Sequence, residues 1–74
     1  MKKIGLIGAG IWGTSLALTA ARADCEVLVW AREEEVVHTI NHMHVNTMFL
    51  PDIPLPDSIK ATSDILEVFN FAWH

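Results

Sequence analysis

Ile4-Gly5-Leu6-Ile7-Gly8-Ala9-Gly10-Ile11-Trp12-Gly13 decides how this chain folds. Lys3 to Ile7 is a short apolar run of the kind a buried parallel strand shows. Gly8 to Gly13 then fits the spacing G-x-G-x-x-G, and Thr14 to Ala23, rich in Ala and Leu, reads as a helix. A glycine-rich turn between a strand and a helix is a device for holding a pyrophosphate. Gly8 permits the tight turn, Gly10 lets the backbone approach the phosphates, and Gly13 lets helix and strand pack closely. The helix N-terminus adds unpaired N–H groups and partial positive charge, with Ile11 and Trp12 lending backbone amides. Alone the motif is weak; inside a complete βαβ unit it points to a dinucleotide.

The residues that follow supply that unit. Asp24-Cys25 ends the first helix, and Glu26 to Trp30 is a second apolar run, expected as a buried strand. From Glu33 to about Asn46 the pattern returns to helix, with Val36, Val37 and Ile40 as its apolar face. Glu33-Glu34-Glu35 set negative charge in its first turn. Three prolines between Pro51 and Pro56 forbid regular helix there. Ser58 to Thr62 is expected as a third, shorter strand. Ser63 or Asp64 caps a last helix from Ile65 toward Phe71. The expected fold class is α/β, a partial Rossmann sheet of order β-α-β-α-β-α that lacks the later strands. In a doubly wound sheet of order 3-2-1-4-5-6, strand 1 would then lie on an open edge.

Composition narrows the function. The net charge of −4 argues against nucleic acid, which wants a basic face. A single cysteine, Cys25, excludes an intrachain disulfide and fits a reducing compartment. The 74 residues are 51% hydrophobic, an excess that implies apolar surface awaiting cover. Lys2-Lys3, the uncharged stretch from Ile4 to Ala21 and Ala21-Arg22-Ala23 mimic a signal peptide or a marginal membrane span. The phosphate-loop spacing of Gly8, Gly10 and Gly13 weighs against both. Removing residues 1–23 would also leave about 50 residues with no disulfide to hold them. No membrane partner is therefore expected.

Cofactor choice is set at the end of the second strand. An NAD enzyme usually places an acid there for the ribose 2′-hydroxyl. This chain reads Val29-Trp30-Ala31-Arg32, with no acid until Glu33. Arg32 can stack on adenine and pair with a 2′-phosphate, so NADP should be accepted alongside NAD. The bland alternative is a solvated charge at a helix start.

These segments together resemble one family. Ile7-Gly8-Ala9-Gly10-Ile11-Trp12-Gly13-Thr14-Ser15-Leu16-Ala17, Val27-Leu28-Val29-Trp30-Ala31-Arg32 and Phe49-Leu50-Pro51-Asp52-Ile53-Pro54-Leu55-Pro56 closely resemble bacterial NAD(P)-dependent glycerol-3-phosphate dehydrogenase, in order and at family spacing. The resemblance runs to about Val68. It implies that residues 1–74 are the N-terminal part of an NAD(P)-binding Rossmann domain, with an all-helical substrate domain absent. It also implies a cytoplasmic reaction interconverting glycerone phosphate and sn-glycerol 3-phosphate for phospholipid synthesis. By the same resemblance Ile11, Trp12 and Arg32 match cofactor-contacting positions. Ile11 departs from the small hydroxyl residue common there, which loses one side-chain hydrogen bond. The family's catalytic lysines lie well beyond position 74, so no catalytic residue is expected here and the chain alone should be inactive. A non-functional gene remnant or a small signal- or membrane-anchored protein are the alternatives.

Other polar residues have blander readings. His38 and His42 are helix neighbours, but a structural zinc site wants four ligands, so ordinary surface histidines and no metal are expected. Met43 and Met48 are expected to fill gaps in the core. Trp12 either contacts a cofactor or covers the first helical turn.

Overall fold

The computed structural model describes residues 2–73. β1 (Lys3–Ile7), α1 (Ile11–Arg22), β2 (Glu26–Trp30) and α2 (Glu34–Met43) come first. A hairpin of β3 (Val45–Asn46) and β4 (Leu50–Pro54) follows, then β5 (Ile59–Thr62) and α3 (Ile65–Ala72). β1, β2 and β5 form a parallel sheet in that order. The α/β class and the β-α-β-α-β-α core are therefore as the sequence pattern implies. The hairpin is the addition.

Strand alternation divides the sheet into two faces. Ile4 and Leu6 lie level with Val27 and Val29, which lie level with Ile59 and Ala61. These side chains share one buried cluster with Ala17 of α1 and with Val36 and Ile40 of α2. The residues between them, Gly5, Leu28 and Lys60, belong to the opposite face. There α3 lies on β1 so closely that a Cβ on Gly5 would stand 2.6 Å from Val68 Cγ1 and 3.3 Å from Ala72 Cβ. Gly5 is the hollow into which α3 settles. Asp64 fixes the start of α3, its carboxylate accepting from the Leu66 N–H at 3.0 Å.

The two edges of the sheet are finished differently. The carbonyls of Ser58, just before β5, and of Thr62, at its end, accept from the N–H groups of Val27 in β2 and Ala31 just beyond it, so Ala61 turns its backbone outward. Asn41 of α2 takes both groups: its Nδ2 donates to the Ala61 carbonyl at 2.9 Å and its Oδ1 accepts from the Ala61 N–H at 2.7 Å. One side chain thus stands in for a neighbouring strand. Among the described residues β1 has a strand on one side only, so it is half-exposed rather than fully buried, and Ile7 is 57% exposed.

Three local differences have simple causes. α1 starts at Ile11, earlier than Thr14, because the last motif glycine lies inside its first turn. α2 stops at Met43 rather than near Asn46, because His44 takes a left-handed conformation (φ 55°) that ends a helix. That early stop leaves Met43 and Met48 on the surface, 58% and 46% exposed, so neither fills the core. The proline-rich segment is not helical, as expected, and it forms a strand that the sequence reading did not assign; Pro51 and Pro54 are tolerated because β4 belongs to a two-stranded ribbon. Among the described residues no helix is long and apolar enough to cross a membrane.

The Gly5 hollow gives a stability test. Gly5→Ala should destabilise the chain by about 1–3 kcal/mol through overpacking. In a double-mutant cycle followed by thermal melting, Gly5→Ala with Val68→Ala should cost clearly less than the sum of the single changes. Strict additivity would show that α3 does not rest on Gly5.

Candidate functional site

The carboxyl ends of the three parallel strands lie level, Ile7 beside Trp30 and Trp30 beside Thr62. In open α/β sheets ligands bind outside these ends. Gly8-Ala9-Gly10 leaves β1 here, and the Gly8 N–H donates to the Trp30 carbonyl at 2.9 Å, tying the loop to the end of β2.

The three motif glycines answer three separate demands. Gly8 has φ +109°, a conformation that side chains other than hydrogen rarely allow. A Cβ on Gly13 would collide with the Gly8 carbonyl oxygen, so α1 could not approach β1 with any larger residue. Gly10 is different. Its backbone is ordinary (φ −71°, ψ −169°), and a Cβ there would meet nothing within 4 Å. Neither conformation nor packing inside the chain calls for glycine at position 10. The space beside it is open, as it is beside Gly8.

The start of α1 is electrostatically bare. Gly10 is its N-cap without a side-chain hydrogen bond, and no acidic residue lies in its first turn. By contrast α2 carries Glu34 and Glu35 in its first turn, and α3 has Asp64 and Glu67. The first amides of a helix have no intrahelical carbonyl, so Ile11, Trp12 and Gly13 present N–H groups and partial positive charge outward. This arrangement suits an anion. Ile11 and Trp12 are 55% and 84% exposed, so Trp12 does not serve to cover the first helical turn.

Arg32 lies two residues past β2. Ala31 before it is buried and donates to the Thr62 carbonyl at 2.9 Å, so the chain is fixed up to the point where Arg32 emerges. Arg32 is exposed, and among the described residues it takes part in no ion pair. The histidines lie elsewhere. His38 and His42 pack ring to ring at 4.7 Å, and His44 Nε2 is 3.4 Å from Asp57 Oδ1. Among the described residues no three His, Cys, Asp or Glu side chains are grouped to hold a metal ion.

One polar cluster beneath the loop escapes a reading of the sequence. Asn46, fully buried, donates from Nδ2 to the Ala9 carbonyl at 2.7 Å and to Thr14 Oγ1 at 2.9 Å. Thr14 Oγ1 donates to the same Ala9 carbonyl at 3.1 Å, and Asn46 Oδ1 accepts from the Phe49 N–H at 3.2 Å. The only sequence signal was an amide beside the proline-rich segment, and its continuation of the helical pattern masked it.

Comparison with known proteins settles the family. The model described as NAD-dependent glycerol-3-phosphate dehydrogenase N-terminus matches residues 3–73. The chain belongs to this family. It is 55% identical over 67 residues to glycerol-3-phosphate dehydrogenase (NAD(P)+) of Paramagnetospirillum magneticum, covering 90% of this chain and 24% of that one. The Bacillus subtilis enzyme of the same name is 44% identical over 72 residues, covering 97% of this chain and 21% of that one. Among solved structures, glycerol-3-phosphate dehydrogenase from Coxiella burnetii superposes with a TM-score of 0.85 at 36% identity, over 95% of this chain and 22% of that one. The chain thus spans about a quarter or less of the relatives it matches.

The glycines can be separated experimentally. Gly8→Ala should cost about 1–2 kcal/mol of stability for its left-handed backbone. Gly13→Ala should cost more, because backbone must move. Gly10→Ala should cost less than about 1 kcal/mol, the modest N-cap preference. Urea melts that ranked Gly10→Ala as the most damaging change would overturn this division.

Proposed function

We propose that these 74 residues form the first part of an NAD(P)-binding Rossmann domain, the dinucleotide cradle of a glycerol-3-phosphate dehydrogenase. The observation that carries this reading is the open space beside Gly10, set against the uncapped start of α1. A pyrophosphate fits both features, since it needs close backbone approach and unpaired N–H donors. Gly8, Gly10 and Gly13 shape the loop. Ile11 and Trp12 supply backbone amides, and Arg32 takes the adenosine ribose. The guanidinium can pair with a 2′-phosphate or stack on adenine, so both NADP and NAD are accommodated.

When bound, a reduced nicotinamide would supply the hydride that turns glycerone phosphate into sn-glycerol 3-phosphate, and its oxidised form would take that hydride back in the reverse direction. The residues here bind and orient; none is assigned to proton transfer or to the substrate. We further propose that this reaction serves phospholipid precursor synthesis in the cytoplasm. Lys60 sits on β5 and is exposed on the face opposite the main core, with no place in that chemistry.

The purified 74-residue chain should bind NADPH and NADH without oxidising NADPH when glycerone phosphate is added. Turnover in a spectrophotometric assay would overturn the assignment of the chemistry to residues outside this segment. Arg32→Ala should weaken NADPH about tenfold, the scale of one charge-assisted contact, and NADH far less. Gly10→Ala should abolish binding of both while the chain stays folded by circular dichroism. Retained affinity in Gly10→Ala would remove the cradle reading.

A further inference from the structure

We infer that Asn46 is a positioning residue for the cofactor cradle, aiming the Gly10 N–H at the pyrophosphate through the Ala9–Gly10 peptide. The inference rests on the dinucleotide reading above and assigns a role to the β3–β4 hairpin, which that reading leaves idle.

The Ala9 carbonyl receives two hydrogen bonds in the interior, from Asn46 Nδ2 at 2.7 Å and from Thr14 Oγ1 at 3.1 Å. Thr14 is 2% exposed and Asn46 fully buried, so neither donor has water as an alternative. A trans peptide is planar, with its C=O and N–H pointing in opposite directions. Holding the Ala9 oxygen inward therefore turns the Gly10 N–H outward, toward the face where a Cβ on Gly10 would find open space.

Asn46 is itself held. Its Oδ1 accepts from the Phe49 N–H at 3.2 Å, which fixes the amide's orientation so that its NH₂ faces the loop. Asn46 is paired with Leu50 across the hairpin, and the Leu55 N–H beyond β4 donates to the His44 carbonyl at 2.7 Å. The proline-rich segment is thus the brace behind the amide. Asparagine suits the position because it offers donors to the loop and an acceptor to the hairpin in one short planar group. Aspartate would set a carboxylate against the Ala9 carbonyl, and leucine would leave that carbonyl one donor short.

The test uses the 74-residue chain and two probes, NADPH and adenosine 2′-monophosphate. The second carries the 2′-phosphate for Arg32 but no pyrophosphate. Asn46→Ala should weaken NADPH about tenfold, the cost of misdirecting one donor to a charged phosphate, while adenosine 2′-monophosphate changes less than about twofold. Both are titrated well below the melting midpoint of the variant. Equal weakening of both ligands would show a purely structural role and overturn the inference, as would unchanged NADPH affinity. Thr14→Val, nearly isosteric, removes the second donor to Ala9 and should weaken NADPH about threefold with the same selectivity. That variant decides the matter if Asn46→Ala fails to fold. Wild-type chain that folds but binds neither probe would bring down the dinucleotide reading itself. Wild-type binding with indifferent variants would bring down only the role of Asn46.

Discussion

The close approach of α1 to β1 is the constraint on which the rest depends. Only Gly8-Ala9-Gly10 separates the strand from the helix, so the chain must reverse within three residues. That reversal requires a positive φ at Gly8 and a bare backbone at Gly13, where the helix presses on the Gly8 carbonyl. It also places the uncapped start of α1 at the carboxyl end of the sheet. Widen the turn and α1 would no longer press on the Gly8 carbonyl, and Ala17 would leave the buried cluster. Fold and site are two consequences of one contact.

The buried amide network extends that constraint across the chain. Ala9, Thr14 and Asn46 are 37 residues apart at their extremes, yet they share one hydrogen-bonded core. A buried carbonyl without a donor costs about 1–3 kcal/mol, so this cluster fixes which way the hairpin packs. Asn41 performs the analogous task at the outer edge of β5. Two asparagines near the end of α2 therefore do in side chain what further backbone would otherwise do. Both depend on where α2 ends, and His44 in its left-handed conformation sets that end.

Much of this was legible in the sequence because its signals are local. The apolar runs at Ile4 to Ile7 and Val27 to Trp30 read as strands because neighbouring residues along one strand share the same requirement. Gly8 and Gly13 were legible because their constraints act within a few residues. The proline-rich segment was read only as non-helical. Its pairing with Val45 and Asn46 depends on a reversal at His44, a residue type that adopts the left-handed conformation more often than most yet still only in a minority of cases. Asn46 and Met43 continued the helical pattern, so the sequence placed one in a helix and the other in the core. Tertiary contacts, which propensity does not encode, decided both.

The surface shows the same asymmetry as the edges. Ile7 on the open edge of β1, Trp12 and Leu16 on α1, and Leu66, Phe69 and Trp73 in or just after α3 are all more than half exposed. Such apolar exposure is heavy for so small a unit, while the opposite flank, toward β5 and α2, buries Ile40, Ile59 and Val36 almost completely. A chain of this length already buries a modest share of its surface, about 60%, and leaving large apolar side chains in water adds nothing to its stability. The stabilisation it does have comes from the flank on which β2, β5, α1 and α2 converge, the same flank that carries the hairpin and its amide brace. The glycine loop lies at the boundary between the two. Its inward carbonyl is anchored in the well-packed half, and its outward amides face the space where a phosphate would stand. A ligand that binds only the folded chain stabilises it in proportion to the logarithm of its concentration above Kd. An anion at the loop would therefore add stability at the boundary between the packed flank and the exposed one.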